Sequence, residues 1–131
     1  MIALDTSAVV AIALDEDEAE TFDRAIASGE ALIGTPTLLE TRLVLMQRMP
    51  GFAAEFLKAF ISPAEINSIP FTFDMYQSAA EAFERYGKGR GHPAQLNFGD
   101  CMAYAVAKHY DVPLLYKGRG FARTDIRPAL P

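Results

Sequence analysis

The stretch Asn97-Phe98-Gly99-Asp100-Cys101, running on into Met102-Ala103-Tyr104-Ala105-Val106-Ala107, constrains this chain more than any other. It reads as a loop that becomes a helix. Asn97 is a good N-cap, because its side-chain oxygen can accept from a free backbone N–H of the first turn. Asp100 then falls three residues into the helix, beside the positive end of the helix dipole. The run behind it is almost wholly apolar, which predicts a helix buried nearly all round and ending near Tyr110. A carboxylate is thereby held at the edge of a core, at a point where the chain can meet a ligand.

Three other acids lie in comparable settings. Asp5 ends the apolar run Met1-Ile2-Ala3-Leu4, which reads as a buried strand. Thr6 and Ser7 can cap the helix that continues through Ala8–Leu14. Glu40 falls in the first turn of a helix predicted over Leu38–Arg48, with Thr37 as its N-cap. Asp125 lies in the closing segment, after a strand and a turn. Between these points the pattern predicts helices over Asp15–Ala27, Phe52–Ile61 and Met75–Tyr86, the last capped by Asp74. It predicts strands over Ala31–Gly34, Glu65–Phe71 and Val112–Tyr116, with Ile126 a candidate for one more. Strands that alternate with helices indicate an α/β fold around a mainly parallel sheet, in which ligands gather at the carboxyl ends of the strands. All four acids can point to that edge. Carboxylates held within a few ångströms repel, and a divalent cation removes the repulsion. All-oxygen ligation favours Mg²⁺, with Mn²⁺ as an alternative. Spacing by itself favours a plainer role for each acid, as a helix-terminus, capping-box or turn residue.

Composition narrows the classes further. A chain of 131 residues, half of them hydrophobic, fits a single domain over residues 1–131 with one packed core. No apolar stretch approaches a membrane span, and the first residues carry no basic signal-peptide region. The single cysteine, Cys101, forms no internal disulfide, and a reducing cytoplasm is the expected setting. The net charge of −5 is unevenly spread: residues 15–30 carry −6, so the remainder is +1. Basic residues gather late, in the glycine-rich loop Gly87–Pro93 with Lys88, Arg90 and His92, and again at Lys117, Arg119, Arg123 and Arg127. That half can hold a polyanion.

At these residues the chain resembles the PIN-domain ribonucleases, and within them the VapC toxins of toxin–antitoxin pairs. Met1-Ile2-Ala3-Leu4-Asp5-Thr6-Ser7-Ala8 resembles the family's opening, and Thr37-Leu38-Leu39-Glu40 its second acidic motif. Tyr86-Gly87-Lys88-Gly89-Arg90 followed by His92-Pro93-Ala94-Gln95-Leu96-Asn97-Phe98-Gly99-Asp100-Cys101 is similar to a long run in one VapC branch. Pro113-Leu114-Leu115-Tyr116-Lys117-Gly118 and Thr124-Asp125-Ile126 resemble its ending.

The resemblance implies a PIN-like fold and a Mg²⁺-dependent endoribonuclease. Asp5 and Asp100 would bind the ion, Glu40 would bind it or orient water, and Asp125 would complete the shell. Lys88, Arg90 and Arg119 would contact RNA phosphates. The implied partners are RNA, a VapB-type antitoxin covering the acidic groove, and a second copy of the chain, with no membrane. Two other readings stay open: a PIN-fold binding protein weakened in turnover, and a nuclease acting outside any toxin system. One departure matters. Similar proteins place an Asp, or an Asn-Asp pair, just before the Phe of the last motif, where this chain has Arg119-Gly120-Phe121. The expectation is weaker ion binding, restored by Gly120→Asp.

Overall fold

The computed structural model describes residues 1–131. Strands β1 (Ile2–Leu4), β2 (Ala31–Gly34), β3 (Ile66–Ile69) and β4 (Leu114–Leu115) form one parallel sheet in the order β3-β2-β1-β4. The chain steps outward from β1 to β3 on one side, then adds β4 on the other side of β1. The order therefore reverses between β1 and β4, and the crevice beyond their carboxyl ends is the place where such sheets bind ligands. Six helices flank the sheet: α1 (Thr6–Ala13), α2 (Ala19–Ala27), α3 (Thr35–Arg48), α4 (Ala53–Phe60), α5 (Phe73–Tyr86) and α6 (Phe98–Tyr110). A short 3₁₀ turn, Phe121–Arg123, lies near the end of the chain.

The strand period of two sorts the core into two layers. Ala3, Leu32 and Leu114 point to one face, where α5 and α6 pack. Leu4, Ile33 and Leu115 point to the other, covered by α1, α2, α3 and α4. On α5, Met75, Ala79, Ala82 and Tyr86 recur at helical spacing and are all buried. The central helix is enclosed as its composition predicts: Gly99, Cys101 and Ala103 through Ala107 are buried. No helix is long and apolar enough to cross a membrane.

Several boundaries differ from expectation, each for a local reason. The second helix begins at Ala19 rather than Asp15, because Asp15 takes a left-handed conformation (φ 52°) that ends the preceding turn. Asp5, not Thr6 or Ser7, caps α1. Helix α3 starts at Thr35 with Gly34 as its N-cap and Pro36 in its first turn, so Thr37 is buried inside the helix and Glu40 moves to the second turn. Thr72 rather than Asp74 caps α5, its Oγ1 accepting from the Met75 N–H at 3.3 Å. The last strand shrinks to Leu114–Leu115. Ile126 is buried but lies in no strand; residues beside it still pair with β4, through Leu114 N–H to Arg127 O and Ala129 N–H to Leu114 O, both 2.9 Å.

Leu114 is fully buried and belongs to the strand at the reversal point. Leu114→Ala is expected to lower the unfolding free energy by about 2–5 kcal/mol, because the site lies between sheet and helix and collapses poorly. Urea denaturation of the free protein measures this; a cost below about 1 kcal/mol would show that the sheet edge relaxes around the gap.

Candidate metal centre

Asp5 follows β1 directly, and its backbone N–H donates to the Leu115 carbonyl at 3.0 Å, which pins it at the reversal point. Its Oδ2 caps α1, accepting from the Ser7 N–H (3.0 Å) and the Ser7 hydroxyl (2.6 Å). The same hydroxyl accepts from the Lys117 N–H at 2.9 Å, so the segment after β4 is fastened to the cap. Asp5 is only 4 % exposed, and its second oxygen, Oδ1, is buried without a donor.

Glu40 reaches the same place from α3. Its Oε1 accepts from the buried Thr6 hydroxyl at 2.5 Å, rather than serving a capping box with Thr37. Its other oxygen lies against the first turn of α6: a Cβ added to Gly99 would fall 1.8 Å from Glu40 Oε2. Gly99 is thus required by close approach. One residue on, Asp100 completes a capping box with Asn97. The Asp100 N–H donates to Asn97 Oδ1 (2.8 Å), and Asp100 Oδ2 accepts from the Asn97 N–H (3.0 Å), which leaves Oδ1 outside the cap.

The three carboxylates share one electrostatic environment. Burial pushes the Asp5 carboxyl up to about 7; the two Ser7 donors oppose this, and the charges of Asp100 and Glu40 add to it. Asp100 is also raised, first by burial, against the Asn97 N–H and with help from Glu40. As they stand, no three His, Cys, Asp or Glu side chains form a ready-made ligand set. A cation fits the residues present nonetheless. A buried carboxylate oxygen with no donor is costly unless something positive meets it, and the donors converging here are all hard oxygens. Sequence reading singled out these three acids as candidates but did not read Thr6, Ser7 and Gly99 as their supports. The signal was adjacency to Asp5 and Asp100, read only as capping and turn chemistry.

The remaining candidates lie elsewhere. Asp125 accepts from the Tyr104 hydroxyl and the Lys108 ammonium, both at 2.7 Å. Burial works against its ionisation, yet these two donors outweigh it and lower the carboxyl below its ordinary value. Tyr104 and Lys108 are one and two turns beyond Asp100 on α6, so Asp125 is engaged farther along that helix. Lys88, Arg90 and Arg119 are exposed, and Asp125 pairs with Lys108 rather than Arg119. The missing acid also has a steric side. A Cβ on Gly120 would lie 2.9 Å from the Ala94 carbonyl oxygen, so an aspartate there would not enter without moving the chain.

A carboxyl held near 7 in the fold but near 3.8 when free binds more protons in the folded state across that interval. Stability in the absence of metal must therefore fall as pH rises from about 4 to about 7. Asp5→Asn keeps a capping side chain and removes the titrating group. It is expected to stabilise the metal-free protein at pH 8 by up to about 4 kcal/mol, with the gain vanishing near pH 4. Thermal melts of both proteins across that range in EDTA test this; parallel pH profiles would mean that Asp5 ionises freely.

Comparison with known proteins gives the family. The model of the PIN domain family matches residues 2–127. VapC ribonuclease Mb0640 of Mycobacterium bovis is 39 % identical over 132 residues, covering 99 % of this chain and 100 % of that protein. The crystal structure of Mycobacterium tuberculosis VapC20, described as a sarcin–ricin loop cleaving toxin, superposes with a TM-score of 0.75 at 21 % identity, over 98 % of this chain and 100 % of that one. The structure of VapBC2 from Rickettsia felis, bound to a DNA fragment from its promoter, gives a TM-score of 0.74 at 18 % identity, over 98 % and 96 % of the two chains. These two share the fold. With its acids gathered at the reversal of a parallel sheet, and with full-length identity to a VapC ribonuclease, the chain belongs to the PIN-domain family, among the VapC ribonucleases.

Proposed function

We propose that this protein is a metal-dependent endoribonuclease toxin that hydrolyses RNA phosphodiester bonds and is held in check by a VapB-type antitoxin. The observation that carries the reading is the buried Asp5 carboxylate with one oxygen lacking a donor, facing Glu40 and Asp100 across the crevice. Asp5 and Asp100 would hold a Mg²⁺ or Mn²⁺ ion, and Glu40 would hold it or orient water. The chemistry such an ion supplies is activation of water and stabilisation of charge on a phosphoryl oxygen. The chain's own part is to position and to exclude. Ser7 holds Asp5 by Oδ2 and leaves the buried Oδ1 without a donor. Thr6 and Gly99 fix Glu40 beside α6, and the Asn97 cap fixes Asp100. Lys88 and Arg90 would contact the RNA backbone as positioning charges, with no reading of bases. The structure gives Arg119 the same exposed character.

The intact trio and its relatives favour a working nuclease over a binding protein that has lost turnover. An antitoxin partner is supported by the VapBC2 likeness, and RNA as substrate by the names of the relatives. A homodimer is supported by an apolar face at which Leu39, Leu43, Tyr76, Phe83 and Phe98 are exposed together on α3, α5 and the start of α6. The expected setting is the cytoplasm, where the RNA is.

The test is cleavage of RNA by purified, antitoxin-free protein with and without Mg²⁺ or Mn²⁺. Wild type should cleave only with metal, and its melting temperature should rise with millimolar Mn²⁺. Asp100→Asn should abolish cleavage and shrink the melting shift. Cleavage that persists in EDTA, or a melting curve indifferent to metal, would overturn the reading.

A further inference from the structure

The loop between α5 and α6 is braced rather than slack. The Leu96 N–H donates to the Tyr86 carbonyl (2.9 Å), the Lys88 N–H donates to the Leu96 carbonyl (2.8 Å), and Leu96 is fully buried. Within the loop the Ala94 N–H donates to His92 Nδ1 at 3.0 Å, and the His92 ring meets Tyr86 edge-on at 4.9 Å. Ala94 itself is buried, while Lys88, Gly89, Arg90 and Gly91 are exposed at the tip.

The C-terminal segment meets this loop at Gly120. The backbone there is right-handed helical (φ −60°, ψ −53°), a conformation that any residue adopts. Glycine is therefore not needed for its conformational freedom. It is needed for space, since a Cβ would come within 2.9 Å of the Ala94 carbonyl oxygen and 3.6 Å of Leu96 Cδ2. The segment on the Gly120 side is well anchored: Phe121 is buried, its ring lies 5.2 Å from Tyr116, and its carbonyl accepts from both the N–H (3.0 Å) and the hydroxyl (2.7 Å) of Thr124. Leu96 is pinned on the other side. An added methyl would thus push the chain between Gly89 and Ala94, while Asn97 and Asp100 stay in place.

We propose that Gly120 is a positioning residue for RNA: it admits the Ala94 carbonyl, seats the basic loop on the C-terminal segment, and so fixes the course of the loop that carries Arg90. This rests on the ribonuclease reading, since the loop's charges matter only if a polyanion binds. It also gives the position before Phe121 a role other than ligation.

The experiment compares wild type, Gly120→Ala, Arg90→Ala and the double variant. Binding of a fluorescent single-stranded RNA is measured in EDTA over a range of salt, and limited trypsin digestion follows cleavage after Lys88 and Arg90. The Mn²⁺-dependent melting shift reports an intact acidic crevice. Gly120→Ala should keep the Mn²⁺ shift, be cut faster at the loop, bind RNA severalfold more weakly, and lose about one unit of salt slope. The double variant should bind no more weakly than Arg90→Ala alone, because a displaced arginine has no contact left to lose; a purely structural defect would instead add to it. Wild-type RNA affinity in Gly120→Ala, or full additivity with Arg90→Ala, overturns this inference alone. A wild-type protein that binds no RNA overturns the ribonuclease reading and this inference with it.

Discussion

Burial of the Asp5 carboxylate, with the charges of Asp100 and Glu40 adding to its cost, is the constraint around which this site is arranged. Asp5 is the costly member. It is buried, it has an oxygen with no donor, and two further negative charges face it. Such a group persists when the surroundings over-determine its position, and here they do. Strand β4, the helix that Asp5 caps and the segment after β4 all hydrogen-bond to Asp5 or to its neighbour Ser7.

The topology supplies the convergence at little cost in sequence. Because β4 is added beside β1, the chain's first strand end and its last are neighbours, and α6 must start at the carboxyl edge in order to deliver β4. Asp5 and Asp100, far apart in sequence, come together through that single choice. Glu40 arrives by α3, which leaves β2 at the same edge. Small residues then set the spacing. Gly99 makes room for the Glu40 carboxylate, and Gly120 makes room for the loop that leads into α6. One glycine thus belongs to the acidic centre and the other to its approach.

Much of this was legible in the residues. The order of strands and helices followed from apolar runs bounded by caps and breakers, and the enclosure of α6 followed from Cys101 to Ala107 having no polar face. The Asn97 N-cap could be read from its residue type and place, whereas the return bond from Asp100 appears only in the structure. What was not legible is instructive. Thr37 looked like an N-cap because Thr and a Glu three residues later have that spacing; Pro36 instead starts the helix earlier and Glu40 bonds across to Thr6. Asp125 looked like a fourth ligand because it ends a strand-turn segment. No local pattern reveals that Tyr104 and Lys108 face it from α6. The steric role of Gly120 depends on a carbonyl 26 positions earlier in the chain, Ala94, and only tertiary structure shows it.

Isothermal titration calorimetry of Mn²⁺ into the antitoxin-free protein, repeated in buffers of different ionisation enthalpy, tests the central claim most directly. If the Asp5 carboxylate is kept protonated by burial and its acidic neighbours, binding near pH 6 should release about one proton, and the release should fade by about pH 8.5. Asp5→Asn should release none and bind more weakly. Metal binding without proton release at either pH, or equal affinity in Asp5→Asn, would contradict a centre built on the strained charge of Asp5.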